Sequence, residues 1–116
     1  MQDEISRVPD DEILGLLQEE RIEEANAMLA QKKGCCLAGI NLRGLSLRKL
    51  NVSGIDFSNA CFRSTNMKGL DMRTCRMEGA SIHGAKISGV YFPRELSPEE
   101  IQLSLLHGTR MRYSKK

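Results

Sequence analysis

Hydrophobic residues recur at every fifth position along the middle of the chain. All twelve positions at this step are apolar: Leu37, Leu42, Leu47, Val52, Phe57, Phe62, Met67, Met72, Met77, Ile82, Ile87 and Phe92. The position two residues earlier is also apolar in eleven of the twelve blocks, and Thr65 is the exception. Five residues advance a helix by about 500°, and an odd step along a strand alternates between its two sides, so neither element could bury all twelve. The spacing predicts a chain that turns a corner every five residues and points each central residue at a shared axis.

Glycine and short polar residues occupy fixed places in the same blocks. Seven of the ten glycines lie two residues after a central residue: Gly39, Gly44, Gly54, Gly69, Gly79, Gly84 and Gly89. Glycine adopts a positive φ at little cost, so this position is predicted to form the corner. Five blocks carry Asn or Asp directly before the central residue, where a short side chain is predicted to hydrogen-bond turn backbone: Asn41, Asn51, Asp56, Asn66 and Asp71.

The blocks "GINLRG", "GIDFSN", "TNMKG" and "GLDMR" resemble those of the pentapeptide-repeat family, which read roughly Ala-(Asp/Asn)-Leu-X-X. The resemblance covers residues 35–94 and implies an all-β solenoid, a right-handed quadrilateral β-helix with four blocks per coil. Twelve blocks then make three coils. Stacked strands about 4.8 Å apart give a solenoid about 15 Å long.

The chain departs from the family pattern two residues before the central position, where the family favours a small side chain. Six of these residues are large: Ile40, Leu45, Leu50, Ile55, Leu70 and Val90. Either the square cross-section is locally wider, or some of these side chains point outward and form an apolar contact surface.

Residues 1–34 are predicted to form an N-terminal helical cap over one end of the solenoid. Apolar residues recur there at helical spacing, and Asp10 or Asp11 is a suitable N-cap. Gly15 leaves open whether the segment is one long helix or two short ones. The predicted role is to cover the first coil, although a helix face could also dock a partner.

Residues 95–116 are predicted to form a C-terminal capping helix and a basic tail. Ser97 is a suitable N-cap, with Pro98 at the first helical position and Glu100 completing a capping box. Gly108 ends the predicted helix. As at the other end, the helix is expected to cover the solenoid, with partner docking as the alternative.

Charge divides the chain unevenly, although the net charge is only +2. Residues 1–33 carry nine acids and four bases, residues 34–94 carry nine bases and three acids, and residues 95–116 carry four bases and three acids. The parts therefore have charges of −5, +6 and +1, and this asymmetry concerns partners. The polar, acidic start predicts no secretory signal, and no apolar run reaches the roughly 20 residues that span a bilayer. A cytoplasmic location without membrane insertion is expected.

Residues that could carry chemistry are few. Cys35, Cys36, Cys61 and Cys75 lack metal-site spacing and are expected to be small apolar fillers. The only histidines are His83 and His107, and their spacing suggests no nucleophile–base arrangement. We expect no catalysis, no metal and no cofactor.

Basic residues predicted to project outward gather on two of the four faces of the square. Residues twenty apart stack, so blocks 40–44, 60–64 and 80–84 form the second face, and blocks 45–49, 65–69 and 85–89 form the third. The candidate binding residues are Arg43, Arg63 and His83 on the second face and Arg48, Lys49 and Lys68 on the third. Lys86 adds charge near the third face. These side chains either keep the solenoid soluble or bind an acidic protein segment or a nucleic-acid backbone.

The leading functional prediction is a non-catalytic protein–protein interaction module, a scaffold or adaptor whose partner the sequence does not identify. The alternative is binding of nucleic acid or another polyanion through the basic rows, although the faces lack aromatic platforms for single-stranded bases. A third hypothesis is self-association between the acidic head of one copy and the basic coils of the next. Some family members are acidic mimics of DNA that bind type II topoisomerases, but a short solenoid at +6 does not fit that role.

Overall fold

The computed structural model describes residues 9–32 and 34–114, so parts of both predicted caps, including residues 1–8, 33, 115 and 116, lie outside the described residues. The elements in chain order are α1 (Asp11–Gln18), α2 (Ile22–Leu29), β1 (Cys35–Cys36), β2 (Ile55–Asp56) and α3 (Pro98–His107). None of the described helices reaches the length and apolar character that a membrane crossing requires.

Strand pairing joins residues that are twenty apart. β1 and β2 are parallel, with Cys35 opposite Ile55. Six isolated parallel bridges follow the same step: Asn41–Cys61, Ser46–Asn66, Asp56–Arg76, Cys61–Ser81, Asn66–Lys86 and Asp71–Tyr91. The chain therefore returns alongside itself every twenty residues, as in a β-helix solenoid. The stacked parts are called here the first segment (35–54), the middle segment (55–74) and the last segment (75–94).

The central residues form the core that the spacing predicted. The ten from Leu37 to Ile82 are at most 2% exposed. Phe57 and Phe62 pack edge to face, with ring centroids 5.1 Å apart. Ile87 and Phe92, the last two, are only partly buried against this core.

The corners follow the predicted chemistry. All seven corner glycines have φ between 68° and 83°. Lys49, Asn59 and Ser64 stand at the same block position and adopt the same left-handed conformation, with φ of 70°, 62° and 57°. In each of the five blocks with Asn or Asp before the centre, the Oδ1 atom accepts a hydrogen bond from the N–H two residues later, which confirms the prediction.

The large residues two before the centre fill the interior. Ile40, Leu50, Ile55 and Leu70 are at most 7% exposed, so an outward apolar surface at these positions is wrong. The other two are partly buried and pack against the same core. Burial of these side chains is favoured over outward projection, because each one can pack in the apolar interior of the stack beside the central residue of its own block.

Two helices precede the solenoid, which decides between the two alternatives for this segment. Asp10 is the N-cap of α1, and its Oδ1 accepts a hydrogen bond from Ile13 N–H at 3.1 Å. The N–H of Asp10 donates to the carbonyl of Cys36 at 2.9 Å. From α2, the side chain of Asn26 donates to Lys49 O at 2.9 Å. The helices thus contact the first segment directly.

Helix α3 begins and ends where the sequence predicted. Ser97 Oγ accepts a hydrogen bond from Glu100 N–H at 3.2 Å, and Gly108 ends the helix with φ of 77°. The carboxylate of Glu100 accepts from the backbone N–H and the guanidinium of Arg112, both at 2.9 Å, and so fixes the tail to the helix. Among the described residues this contact replaces the return bond of the predicted capping box.

Candidate basic interaction surface

The second face holds a stacked pair of arginines. Gly44 N–H donates to Arg63 O at 3.0 Å, and the bridge between Asn41 and Cys61 sets the same register. Arg43 and Arg63 therefore stand on adjacent strands, about 4.8 Å apart along the stack. Both side chains are exposed.

The third face carries the larger share of positive charge. Leu47 N–H donates to Asn66 O at 2.9 Å, which stacks Arg48 over Lys68. Lys86 continues the third face in the last segment through its bridge to Asn66. Lys49 stands at the corner after Arg48, and all four cationic residues are exposed.

These two faces hold six cations and no acid. The basic surface is defined here as Arg43, Arg48, Lys49, Arg63, Lys68 and Lys86. The first face comprises blocks 35–39, 55–59 and 75–79, and the fourth comprises blocks 50–54, 70–74 and 90–94. The three acids between residues 34 and 94 all belong to these two faces: Asp56, Asp71 and Glu78. Within the described ranges no ion pair is formed by any of the six cations, whereas Arg73 on the fourth face pairs with Asp71 at 2.7 Å. The surface is thus a patch of uncompensated positive charge.

The structure brings five of the six predicted site residues together, while His83 lies in a different environment. His83 is partly buried, and its Nδ1 is a buried atom without a hydrogen-bond partner. The end of α3 packs on its ring, since a Cβ atom at Gly108 would lie 3.4 Å from His83 Cγ. Lys86 was not among the predicted site residues. Its position directly before a central residue could have been used to predict that its side chain projects outward.

Acidic residues border the basic surface at the first segment. A groove of about 440 Å³ lies at this border, and its charged lining residues are Glu20, Arg21, Glu23, Glu24, Arg48 and Lys49. Arg21 forms an ion pair with Glu24. In the described part of the chain no ion pair crosses this groove. The basic surface therefore ends abruptly at the N-terminal helices.

The cysteines take packing positions. Cys35, Cys36 and Cys75 are buried, and Cys61 is partly exposed. Burial raises the pKa of Cys35 to about 11 and the pKa of Cys75 to about 12. Among the described residues, no group of three or more His, Cys, Asp or Glu side chains is arranged to hold a metal ion.

Comparison with known proteins gives one positive result. The family model described as pentapeptide repeats matches in eight copies, over residues 33–63 and 56–92. Comparison with curated proteins gives no significant match.

Proposed function

The chain belongs to the pentapeptide-repeat family, and from this premise we propose that it is a protein–protein interaction module, a scaffold or adaptor without catalytic activity. The proposal includes a cytoplasmic location. It includes no cofactor, because the sequence holds no recognisable catalytic or cofactor motif. The module presents fixed rows of side chains on a rigid repeat, which is how repeat proteins build extended binding surfaces.

We further infer that each stacked segment is one coil of a right-handed quadrilateral β-helix, giving three coils over residues 35–94. Residues 1–34 form its N-terminal cap, and residues 95–116 form its C-terminal capping helix and tail. Backbone contacts at both ends support this division, since Asp10 N–H donates to Cys36 O and Met111 N–H donates to Ala80 O. Each contact occupies a backbone group that a further coil would otherwise bond.

The observation that carries the proposal is the basic surface, which has six cations and no acid, and whose cations form no ion pair within residues 9–32 and 34–114. Opposite charges across an interface steer association and select partners. The partner that fits is an acidic protein surface, because its carboxylates would neutralise cations that have no ion-pair partner among the described residues.

Affinity purification from native lysate tests the proposal with the full chain as bait. We expect a stoichiometric partner that the double variant Arg43→Glu/Arg63→Glu no longer recovers. The matched control is Arg76→Glu/Arg94→Glu, which reverses two exposed charges outside the basic surface and is expected to retain the partner. Absence of any stoichiometric partner under mild conditions would contradict the proposed function.

Nucleic-acid binding is the alternative use of the same basic surface. The second and third faces carry no exposed Phe, Tyr or Trp, which disfavours single-stranded nucleic acid in particular, because no side chain offers a platform for stacked bases. A mobility-shift assay at low salt decides this alternative, and a shift abolished by Arg43→Glu/Arg63→Glu would favour it. Self-association between the acidic head of one copy and the basic coils of the next is tested by light scattering at low ionic strength, where a monomer would exclude it.

A further inference from the structure

The four faces of the last segment are not closed alike. On its first two faces, C-terminal residues supply acceptors at 2.7–3.1 Å to the N–H groups of Met77, Gly79, Ile82 and Gly84. In the same order, the acceptors are Tyr113 Oη, Met111 O, Ser104 Oγ and Leu105 O. These are the donors that would otherwise bond a further coil, so the strand edge is complete on this side.

The third face of the last segment keeps an open edge. In the middle segment, the N–H groups of Met67 and Gly69 donate to carbonyls of the last segment, each at 2.9 Å. The equivalent groups twenty residues later are those of Ile87 and Gly89. Over residues 9–32 and 34–114, no acceptor is found for either N–H group. Two donors about 6.6 Å apart thus point along the stack from a strand edge.

Side-chain burial shows the same asymmetry. Met77 and Ile82, whose faces are closed by the C-terminal residues, are fully buried. Ile87 and Phe92 hold the equivalent central positions on the other two faces and are only partly buried. The open edge therefore offers apolar surface as well as backbone donors.

The charge of the third face indicates which kind of partner segment could bind at the open edge. Lys86 precedes Ile87 on the open edge, and Lys68 stands one segment earlier on the same face. No acid lies on this face, and neither lysine forms an ion pair in the described part of the chain. Main-chain carbonyls satisfy strand-edge N–H groups, carboxylates suit the lysines, and apolar side chains suit the partly exposed core.

We propose that an extended acidic segment of a partner protein adds as a strand to the third face, along the edge formed by Ile87 and Gly89. The segment hydrogen-bonds these two N–H groups, covers the side chain of Ile87 and places a carboxylate beside Lys86. This inference rests on the proposed interaction function and gives the partner a chemistry. An oligonucleotide fits less well, because phosphates would neutralise Lys86 but leave Ile87 uncovered.

The test uses the full chain and a synthetic peptide of about nine residues that alternates glutamate and valine, with blocked ends. Binding is measured by fluorescence anisotropy at about 50 mM NaCl, where charge is weakly screened. Backbone amide exchange is followed residue by residue by NMR, with and without the peptide. We expect binding that slows exchange at Ile87 and Gly89 and leaves the already bonded amide of Gly69 unchanged.

Two charge reversals supply the comparison. Lys86→Glu is expected to weaken peptide binding by about tenfold or more. Arg76→Glu is its matched control, because Arg76 holds the same block position in the same segment, on a face that Met111 and Tyr113 close. The control is expected to change binding less than about threefold, since exposed charges away from an interface contribute little.

Several results would overturn the inference: no peptide binding, binding without slowed exchange at Ile87 and Gly89, or equal weakening by both variants. If amide exchange at Ile87 and Gly89 became slower as the concentration of the free chain was raised, the edge would be assigned to a second copy instead. If an oligonucleotide of equal charge slowed amide exchange at Ile87 and Gly89 and the peptide did not, the edge would be assigned to nucleic acid. If a lysate partner depends on Arg43 and Arg63 while the peptide fails to bind, the proposed function stands and only this inference fails.

Discussion

The side-chain oxygen of Asn26 accepts a hydrogen bond from the backbone N–H of Asn51 at 2.7 Å. The amide nitrogen of the same side chain donates to Lys49 O at 2.9 Å. One asparagine of α2 therefore imitates, for Asn51, the carbonyl that a preceding strand would offer. A side chain of the acidic helix pair thus holds α2 on the first segment.

Removal of this side chain should loosen the N-terminal helices. We expect Asn26→Ala to lower the free energy of unfolding by about 1–2 kcal/mol, because two hydrogen bonds are lost. Urea unfolding followed by circular dichroism measures the change. Gln31→Ala changes an exposed residue just after α2 whose side chain forms no hydrogen bond within the described residues, so it should have no measurable effect. Equal stability of Asn26→Ala and the wild type would show that the two bonds contribute nothing.

Thr65 is the one polar residue in an otherwise apolar column, and the hydrophobic pattern alone would predict that valine improves it. The structure predicts the opposite. Thr65 is fully buried, and its hydroxyl donates to Leu42 O at 2.8 Å. Thr65→Val should therefore cost about 1 kcal/mol, since the carbonyl keeps only its bond from Leu45 N–H. A thermal midpoint at or above that of the wild type would refute this expectation.

The effect of a corner substitution on stability should depend on the φ angle of that corner. Ser64 has φ of 57°, which places its Cβ close to the neighbouring carbonyl, so Ser64→Gly should stabilise the chain by about 0.5–1 kcal/mol. Gly69, at the next corner, has φ of 77° and open space around it, so Gly69→Ser should destabilise by a similar amount. Chemical unfolding of the matched pair measures both effects. If both substitutions changed the free energy of unfolding in the same direction, φ would not be what decides which residue suits a corner.

Thiol labelling should separate the cysteines by burial. The pKa of about 12 at Cys75 leaves roughly one thiolate in ten thousand at pH 8, and its S–H donates to Val52 O. Cys61 is partly exposed, so one fast-reacting thiol is expected in the native chain and four after denaturation. Cys61→Ser should remove the fast phase. A fast phase that persists in this variant would mean that a cysteine described as buried becomes accessible.

Much of the fold was predictable because its determinants lie within single blocks. The five-residue apolar step, the corner glycines and the Asn or Asp before each centre all act over two to five residues, and the structure has each of them in the predicted place. The ends of α3 were equally readable, since Ser97 and Gly108 cap their helix locally. The basic surface followed from the same period, which places residues twenty apart side by side.

The remaining features depend on contacts between distant residues. Thr74 stands where most blocks have glycine, and its hydroxyl accepts a hydrogen bond from Gly54 N–H at 3.0 Å, in place of a backbone carbonyl. The burial of Ile40 and Leu50, against one of the two interpretations of the sequence, depends on the room beside the core. The sequence by itself determined the repeat, its corners and the charge of its faces, because these are periodic and local. Only the tertiary structure decided which strand edges of the last segment the terminal residues close and which stay open in the described part of the chain, because the acceptors of the closed donors lie more than twenty residues away along the chain.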